Sequence, residues 1–190
     1  MAETTLTPQT PLGGIAPRRD SFPGLLLTEV TDRSLASVAA RLGQEPALRT
    51  ALGGFAGCDV PGPGGLVSGP VMTLFWTAPG QWFLDAPMER HEDLAAEVRA
   101  AVGMAGSVTE QTDGWARFDL EGPACTSVLE RLCAVDILAL GGPAAARTVM
   151  EHIGVFLLCH HPAERFSAIC LRSYAAALHH ALVTAARSAL

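Results

Sequence analysis

The sequence predicts an α+β fold with a largely antiparallel sheet and packed helices. Segments that alternate apolar and polar residues, which is typical of strands, outnumber segments with helical period. The predicted helices follow pairs of strands rather than every strand, and this disfavours a parallel βαβ sheet. The chain has 190 residues, 49% of them hydrophobic and 17% charged. A chain of this length and hydrophobic content can form one domain with a sizeable core.

The N-terminal third is predicted to hold a leader, a strand and two helices. Residues 1–23 are rich in Thr, Pro and Gly and lack periodicity, so we predict a flexible leader followed by a single domain over residues 24–190. Residues 24–30 are predicted to form a strand. A helix is predicted from Ser34, ending at Gly43 and burying Leu35, Val38, Ala39 and Leu42. A short helix is predicted around residues 47–52, before an irregular Pro/Gly-rich stretch.

Residues 76–84 carry two of the three tryptophans around a Pro-Gly pair and contain no charge. Pro79 and Gly80 suit the central positions of a tight turn. We therefore predict a hairpin with strands at residues 71–76 and 82–84. A tryptophan that is buried at such a corner needs a hydrogen-bond acceptor for its indole N–H.

The next segment predicts a helix with Pro87 near its first turn and Gly103 at its end. Its apolar stripe comprises Leu94, Val98 and Ala101 or Val102. The acidic residues of its first turns are Glu89, Glu92 and Asp93. Paired carboxylates can serve acid–base catalysis, but we interpret these as a solvated helix face.

The second half predicts four strands and two helices. Asp113-Gly114 opens a strand in which Ala116, Phe118 and Leu120 alternate with Arg117, Asp119 and Glu121, so one face is predicted to be solvated. Gly122-Pro123 is predicted to start a helix with Pro123 at its first position. Further strands are predicted at residues 147–150, 153–159 and 166–171. A last helix from about Tyr174, capped by Ser173, is predicted to bury Ala177, Leu178, Ala181, Leu182 and Ala185.

Composition and charge disfavour several classes of function. The net charge is −6, and residues 85–136 hold eleven acidic residues against four arginines, which disfavours nucleic-acid binding. The longest uncharged run, residues 60–84, is interrupted by prolines and predicts no membrane span. The N-terminus lacks the pattern of a signal peptide. Five cysteines at unpatterned spacings then indicate reduced, mostly buried thiols in a cytoplasmic protein.

Three kinds of chemistry can be tested against the residues present: metal binding, cysteine catalysis and nucleotide binding. Cys159-His160-His161 with His179-His180 could bind a metal, but neighbouring histidines on a strand point to opposite faces, so we interpret them as a surface or interface cluster. A cysteine nucleophile would need a histidine and an acid that only the fold could bring together. The motifs of nucleotide-binding proteins are absent from the sequence: no GxGxxG follows a predicted strand, and the lysine of a phosphate-binding loop cannot occur because the chain has no lysine. We predict no catalytic, cofactor-binding or metal-binding residue.

Several short motifs occur in a fixed order along the chain. Those that we single out are Trp76, Pro79, Trp82, Asp113, Gly114, Gly122, Pro123, Arg147, Thr148, Arg172, Ser173 and Tyr174. In this order and spacing, over about residues 24–186, they resemble the gamma subunit of heterotetrameric sarcosine oxidase. The middle portion resembles the folate-binding domain of the glycine-cleavage aminomethyltransferases, to which that gamma subunit is related.

The resemblance implies a non-catalytic accessory subunit in a heterotetrameric flavoenzyme complex. Such a complex demethylates sarcosine, or a related N-methyl amino acid, to glycine, with hydrogen peroxide and formaldehyde or 5,10-methylenetetrahydrofolate as products. The implied partners are alpha, beta and delta subunits. FAD, FMN, NAD, zinc and tetrahydrofolate would be bound by those subunits and not by this chain.

The resemblance also bears on folate binding. Aminomethyltransferases use an aspartate on a strand shortly after a glycine pair, and the run that we align with it, residues 153–158, contains no acid. The alternative is a free-standing protein of the folate-binding fold with a regulatory or repair role. A third hypothesis is a small metal- or thiol-dependent enzyme built on Cys159, His160 and His161.

Overall fold

A computed structural model describes residues 7–190, so the first six residues of the leader predicted over residues 1–23 lie outside the described residues. The described chain forms four layers, in the order helices, sheet, sheet, helices. One apolar core lies between each sheet and its helices, and a third lies between the two sheets. The predicted α+β class is confirmed, with two sheets whose neighbouring strands are all antiparallel over residues 7–190.

The first sheet has six strands and is covered by two helices. In spatial order its strands are β1 (Arg19–Phe22), β2 (Leu25–Val30), β8 (Trp115–Glu121), β11 (Arg165–Leu171), β10 (Ile153–His161) and β9 (Ala144–Met150). The helices that cover its outer face are α3 (Cys125–Leu129) and α4 (Ala175–Ala189). The core on that face includes Phe118, Leu120, Phe166 and Leu178, none of which has measurable exposure.

The second sheet has five strands and two helices of its own. In spatial order its strands are β4 (Leu66–Ser68), β5 (Thr73–Ala78), β6 (Gln81–Pro87), β3 (Arg33–Ala40) and β7 (Gly106–Glu110). The helices on its outer face are α1 (Glu45–Ala56) and α2 (Leu94–Val102). In residues 7–190 no helix combines the length and the apolar character that crossing a membrane requires.

The Pro-Gly corner forms as predicted. Pro79 and Gly80 join β5 to β6, and Gly80 has a φ of +66°, a backbone conformation that glycine adopts without strain. The side chain of Trp82 is buried against α1 and α2, and its Nε1–H donates to the carbonyl oxygen of Pro61 at 2.8 Å. The guanidinium carbon of Arg49 lies 5.4 Å from the centre of its ring. The corner is therefore the rigid, buried element that its composition indicates.

The helix predicted from Ser34 is wrong, because residues 33–40 form the strand β3. This strand pairs with β6 on one side and β7 on the other. Ala36 and Val38 face the helices, whereas Leu35 faces the other sheet. Because β3 needs apolar residues on both faces, its sequence does not alternate apolar and polar residues. The remaining apolar positions have the spacing that is typical of a helix.

Other differences concern element boundaries. Part of the predicted leader, residues 19–22, forms β1, because its backbone pairs with β2. Pro87 ends β6, and α2 begins seven residues later with Asp93 as its N-cap, whose carboxylate accepts from the N–H of Ala96. Helix α3 begins two residues after Pro123.

The C-terminal helix also begins later than predicted. Ser173 does not cap it, because residues 172–174 form a 3-10 turn and α4 starts at Ala175. Of the five residues predicted to be buried on α4, only Ala177 is exposed. The stretch predicted to be irregular contains the short strand β4, and the edge strand β7 had no prediction, since neither carries a clear alternation of apolar residues.

Candidate functional site

A group of buried charged residues lies between the two sheets. Asp85 follows Phe83 by two residues on the inner face of β6, and Arg117 follows Trp115 by two residues on the inner face of β8. Strand β8 was predicted to have a solvated face at Arg117 and Asp119. That face is instead covered by the second sheet, and the side chains of Arg117 and Asp119 are only 16% and 22% exposed.

Asp85 joins two arginines from different strands. Nε of Arg33, on β3, donates to Oδ1 of Asp85 at 2.6 Å, and Nη1 of Arg117 donates to Oδ2. Arg117 also holds Asp119 with two parallel bonds, from Nε at 2.7 Å and from Nη2 at 3.0 Å. Bidentate arginine–carboxylate pairs are strong and directional. These four side chains, which we call the inter-sheet ion network, therefore connect β3, β6 and β8 across the two sheets.

The network keeps Arg117 charged. Burial alone would lower the pKa of Arg117, but the carboxylates of Asp85 and Asp119 outweigh this effect and raise the pKa above its ordinary value. Two arginines balance two aspartates, so the network is formally neutral. It provides no free carboxylate that could serve as a general base.

Two further side chains extend the network along the first sheet. The hydroxyl of Ser167 donates to Oδ1 of Asp119 at 2.6 Å, and Nε2 of His160 lies 2.8 Å from the same hydroxyl oxygen. Because a hydroxyl has one hydrogen and the carboxylate can only accept, His160 must donate from Nε2. Ser167 is fully buried with its hydrogen committed, so it is not placed to act as a nucleophile.

Burial lowers the pKa of His160 to about 4, and the positive charge of Arg117 adds to this effect. His160 is therefore neutral at pH 7. It completes the hydrogen bonds of the network without adding a second cation beside Arg117.

Acidification is expected to destabilise the folded chain through His160. The unfolded chain binds the proton with a pKa near 6.5 and the folded chain with a pKa of about 4. Stability is therefore retained above pH 6.5 and lost as the pH falls from 6.5 to 4, by up to about 3 kcal/mol. Urea unfolding of the parent and His160→Gln at pH 7 and pH 4.5 measures this loss. His161→Gln, an exposed neighbour, is the control. If His160→Gln lost as much stability on acidification as the parent, the assignment to His160 would be wrong.

Two cavities lie on either side of the network. One of about 300 Å³ has Trp115 and Leu35 on its walls, and the N-terminal residues Pro8 to Pro17 contribute one side. The other, of about 680 Å³, is polar, and Arg19, Asp32, Arg165 and His160 line it. Both cavities reach Arg33, Asp85 and Arg117, so the network forms a wall between them.

The N-terminal segment is held over the smaller cavity by Glu29. This side chain is 2% exposed, and its carboxylate accepts from the backbone N–H of Leu12 at 2.9 Å and of Arg18 at 3.0 Å. Arg172 adds a bond from Nη2 to the carbonyl oxygen of Gln9 at 2.8 Å. Residues 9–18 are thus fastened by side chains of the folded domain.

Glu29→Ala is expected to release this segment. Each bond from a backbone N–H to a charged carboxylate contributes roughly 1.5–3 kcal/mol, so losing both removes most of what fastens the segment. Trypsin cleavage after Arg18 should become at least tenfold faster under native conditions. Glu92→Ala, on an exposed turn, is the control. Equal cleavage rates in the parent and Glu29→Ala would show that other contacts hold the segment.

The residues of the sequence motifs do not converge on one site. Trp82 is buried in the core under α1 and α2, whereas Trp76 is half-buried. Gly122 has a φ of +122°, and a Cβ there would lie 2.3 Å from the carbonyl oxygen of Gly24, so this position requires glycine. Its neighbour Pro123 precedes α3. These residues shape turns and packing.

The remaining motif residues precede β8, lie in the middle of β9 or follow β11. Asp113 is 94% exposed and 3.8 Å from Nη1 of Arg172, a weak surface contact. Arg147 and Tyr174 line a separate pocket of about 360 Å³. Gly114 and Ser173 belong to 3-10 turns, and Thr148 lies on β9.

The cysteine–histidine cluster does not form. Cys159 is buried in the core under α3 and α4, while His160 faces the other sheet and His161 is exposed beside Glu164. His179 instead bonds Asp20 at 2.8 Å. Residues 7–190 contain no group of three or more His, Cys, Asp or Glu side chains placed to hold a metal ion.

The thiols are buried or half-buried, as predicted. None of the five forms a disulfide. Burial raises the pKa of Cys125 to about 12 and that of Cys170 to about 11, and it also raises the pKa of Cys159. Thiols with raised pKa values are poor nucleophiles at neutral pH.

The resemblance to aminomethyltransferases requires an aspartate on a strand shortly after a glycine pair. Strand β10 follows a turn at Glu151 and His152 and not a glycine pair. Strand β1 begins five residues after Gly13-Gly14 and contains Asp20, but Arg18 and His179 bond that carboxylate. Strands β4 and β9 begin within two residues of a glycine pair, Gly64-Gly65 and Gly141-Gly142. Neither contains an acidic residue.

Comparison with known proteins identifies likenesses at the level of structure. No protein-family model and no curated protein matches the sequence. A chain of the heterotetrameric sarcosine oxidase from Corynebacterium sp. U-96, in complex with pyrrole 2-carboxylate, superposes with a TM-score of 0.73 at 24% identity. The likeness covers 86% of this chain and 84% of that one.

The glycine cleavage system aminomethyltransferase T from Bartonella henselae superposes with a TM-score of 0.60 at 15% identity. This match covers 82% of the present chain but only 44% of the aminomethyltransferase. Together these likenesses show that the chain has the α+β fold that occurs in a sarcosine oxidase chain and in part of an aminomethyltransferase.

Proposed function

We propose that this chain is a non-catalytic accessory subunit of a sarcosine oxidase-type oxidoreductase complex, in the position of its gamma subunit. The observation that carries the proposal is the extent of the structural likeness. The chain and a sarcosine oxidase chain cover each other almost equally, at 86% and 84%, whereas the aminomethyltransferase is matched over less than half of its length. The nearly equal coverage of the two chains supports a subunit of the same size as the sarcosine oxidase chain. It does not favour a single domain of a larger aminomethyltransferase.

The chemistry of the described residues supports an accessory role. The carboxylates of Asp85 and Asp119 are engaged by arginines, and the hydroxyl of Ser167 is committed to Asp119. The two strands that begin within two residues of a glycine pair, β4 and β9, lack the aspartate expected of an aminomethyltransferase. These features favour structural roles for the polar residues between the sheets.

In this proposal the chain assembles with alpha, beta and delta subunits in the cytoplasm. FAD, FMN, NAD, zinc and tetrahydrofolate are bound by those subunits, and the complex converts sarcosine or a related N-methyl amino acid to glycine. Exposed apolar side chains are available for contacts with partners. The most exposed are Leu42, Ile15, Met104 and Leu138.

Native mass spectrometry of the tagged chain, purified from its source, tests the proposal. The expected result is an assembly with three further subunits that absorbs at flavin wavelengths and oxidises sarcosine. A preparation from cells that express only the tag is the control. A colourless, soluble monomer would overturn the proposal. Binding of tetrahydrofolate by that monomer would then favour the free-standing folate-binding alternative.

A further inference from the structure

Arg147 lies on the inner face of the edge strand β9 without an acidic partner. It is two residues from Ala145, which is buried in the apolar core between the sheets. In the β9–β10 ladder it stands opposite Phe156, and its guanidinium carbon lies 5.8 Å from the centre of that ring. Arg147 forms no salt bridge within residues 7–190. Arg147 is exposed, so its guanidinium lies beside an aromatic ring and is free to bond a ligand from solvent.

Arg147 borders a concave pocket of about 360 Å³ whose walls include four aromatic side chains. We call it the aromatic pocket, and the residues that define it are Phe83, Trp115, Arg147, Phe156 and Tyr174. The volume and the mostly apolar walls with few polar groups are typical of sites for small molecules.

The walls of the aromatic pocket hold each other in place. The ring of Trp115 lies 5.4 Å from that of Phe83 and 5.5 Å from that of Phe156, measured between ring centres. Nε1 of Trp115 donates to Oε1 of Gln111 at 2.8 Å, which fixes the plane of the indole. A ligand that stacks on these rings would order few side chains on binding, which lowers the entropic cost.

Apolar side chains on the rim are exposed to solvent. Leu171 and Tyr174, which line the pocket, are 48% and 49% exposed, and Val149, which pairs with the lining residue Gly154, is 57% exposed. Large apolar residues that surround a pocket mark binding surfaces more often than scattered ones do. The concave shape favours a small ring over a flat protein surface.

We propose that the aromatic pocket binds a small planar aromatic compound that carries an anionic group. The ring lies against Trp115 and Phe156, and the anion bonds to the guanidinium of Arg147. Arginine recognises planar anions such as carboxylates with paired hydrogen bonds. The site is separate from the inter-sheet ion network, and it does not depend on the function proposed above.

Isothermal titration of the full chain with three probes of one shape tests the proposal. The probes are naphthalene-2-carboxylate, its neutral carboxamide, and the cation 2-naphthylmethylammonium. The carboxylate is expected to bind about tenfold or more tightly than the carboxamide, because a hydrogen bond to a charged group exceeds a neutral one by about 1.4 kcal/mol. The cation should bind most weakly.

Two variants locate the site. Arg147→Gln should weaken carboxylate binding about tenfold or more and carboxamide binding by much less. Arg99→Gln, which removes an exposed arginine from α2, is the matched control. Gly154→Leu should abolish binding of all three probes, because Gly154 lines the pocket and a Cβ there meets no atom within 4 Å. Unchanged thermal unfolding would show that this variant fills the pocket and not the core.

Three results would overturn the proposal. They are equal affinity for the carboxylate and the cation, full carboxylate binding by Arg147→Gln, and no binding of any probe at millimolar concentration. If no probe binds, the exposed apolar residues around the pocket would be better explained as a contact surface for a protein partner.

Discussion

Trp82→Ala is expected to lower the free energy of unfolding by about 3–5 kcal/mol, the range for removing a large aromatic side chain from a core. Trp82 is 1% exposed and packs among residues of α1, α2 and the five-stranded sheet. The substitution also leaves the carbonyl oxygen of Pro61 without its 2.8 Å hydrogen bond. It removes the ring under the Arg49 guanidinium as well.

Two further substitutions separate these contributions. Trp82→Phe keeps most of the buried apolar area but loses the bond to Pro61, so it should cost less than Trp82→Ala. Trp76→Ala removes the half-buried tryptophan opposite Trp82 in the β5–β6 ladder and should also cost less. Urea unfolding followed by circular dichroism measures all three. A loss below about 1 kcal/mol for Trp82→Ala would mean that the corner repacks around the cavity.

The sequence predicts those parts of the fold whose signals are local. Pro79-Gly80 encodes its turn directly, and the alternation at Ala116, Phe118 and Leu120 encodes β8 because one face of that strand meets helices only. The last helix is predicted because Leu178, Ala181 and Leu182 recur with helical period. In these segments local pattern and tertiary environment agree.

The prediction is wrong where the tertiary environment overrides the local pattern. Residues 33–40 carry apolar side chains for both faces of β3, and nothing near them in sequence indicates that a second sheet covers the inner face. The same missing information explains the solvated face that was predicted for β8. Arg117 and Asp119 alternate like surface residues, but Asp85, which bonds Arg117 from the other sheet, and Arg33, which bonds Asp85, are distant in sequence.

The candidate site could be predicted only in part. Arg147 and Tyr174 were singled out by their motifs, and both line the aromatic pocket. Phe83 belongs to the uncharged corner segment, but Phe156 and Trp115 had no signal that would connect them to it. Their convergence depends on how the two sheets pack, which no local pattern in the sequence describes.

Asp85→Ala is expected to lower the free energy of unfolding by about 3–5 kcal/mol, because it leaves Arg117 buried with only one of its two carboxylate partners. Desolvation of Arg117 is offset by Asp85 and Asp119 together. Asp85→Asn, which keeps the shape and removes the charge, should cost nearly as much if charge is the cause. Asp113→Ala at the exposed contact with Arg172 is the control and should cost less than about 1 kcal/mol.

A double-mutant cycle separates the ion pair from general damage to the packing. If the attraction between Asp85 and Arg117 holds the two sheets together, Asp85→Ala combined with Arg117→Met should cost less than the sum of the two single substitutions by about 1–3 kcal/mol. The methionine fills much of the arginine's volume and has no charge that needs a partner. A strictly additive cycle would show that each side chain acts through its own packing. The inter-sheet ion network would then be a consequence of the fold and not a cause of the contact between the sheets.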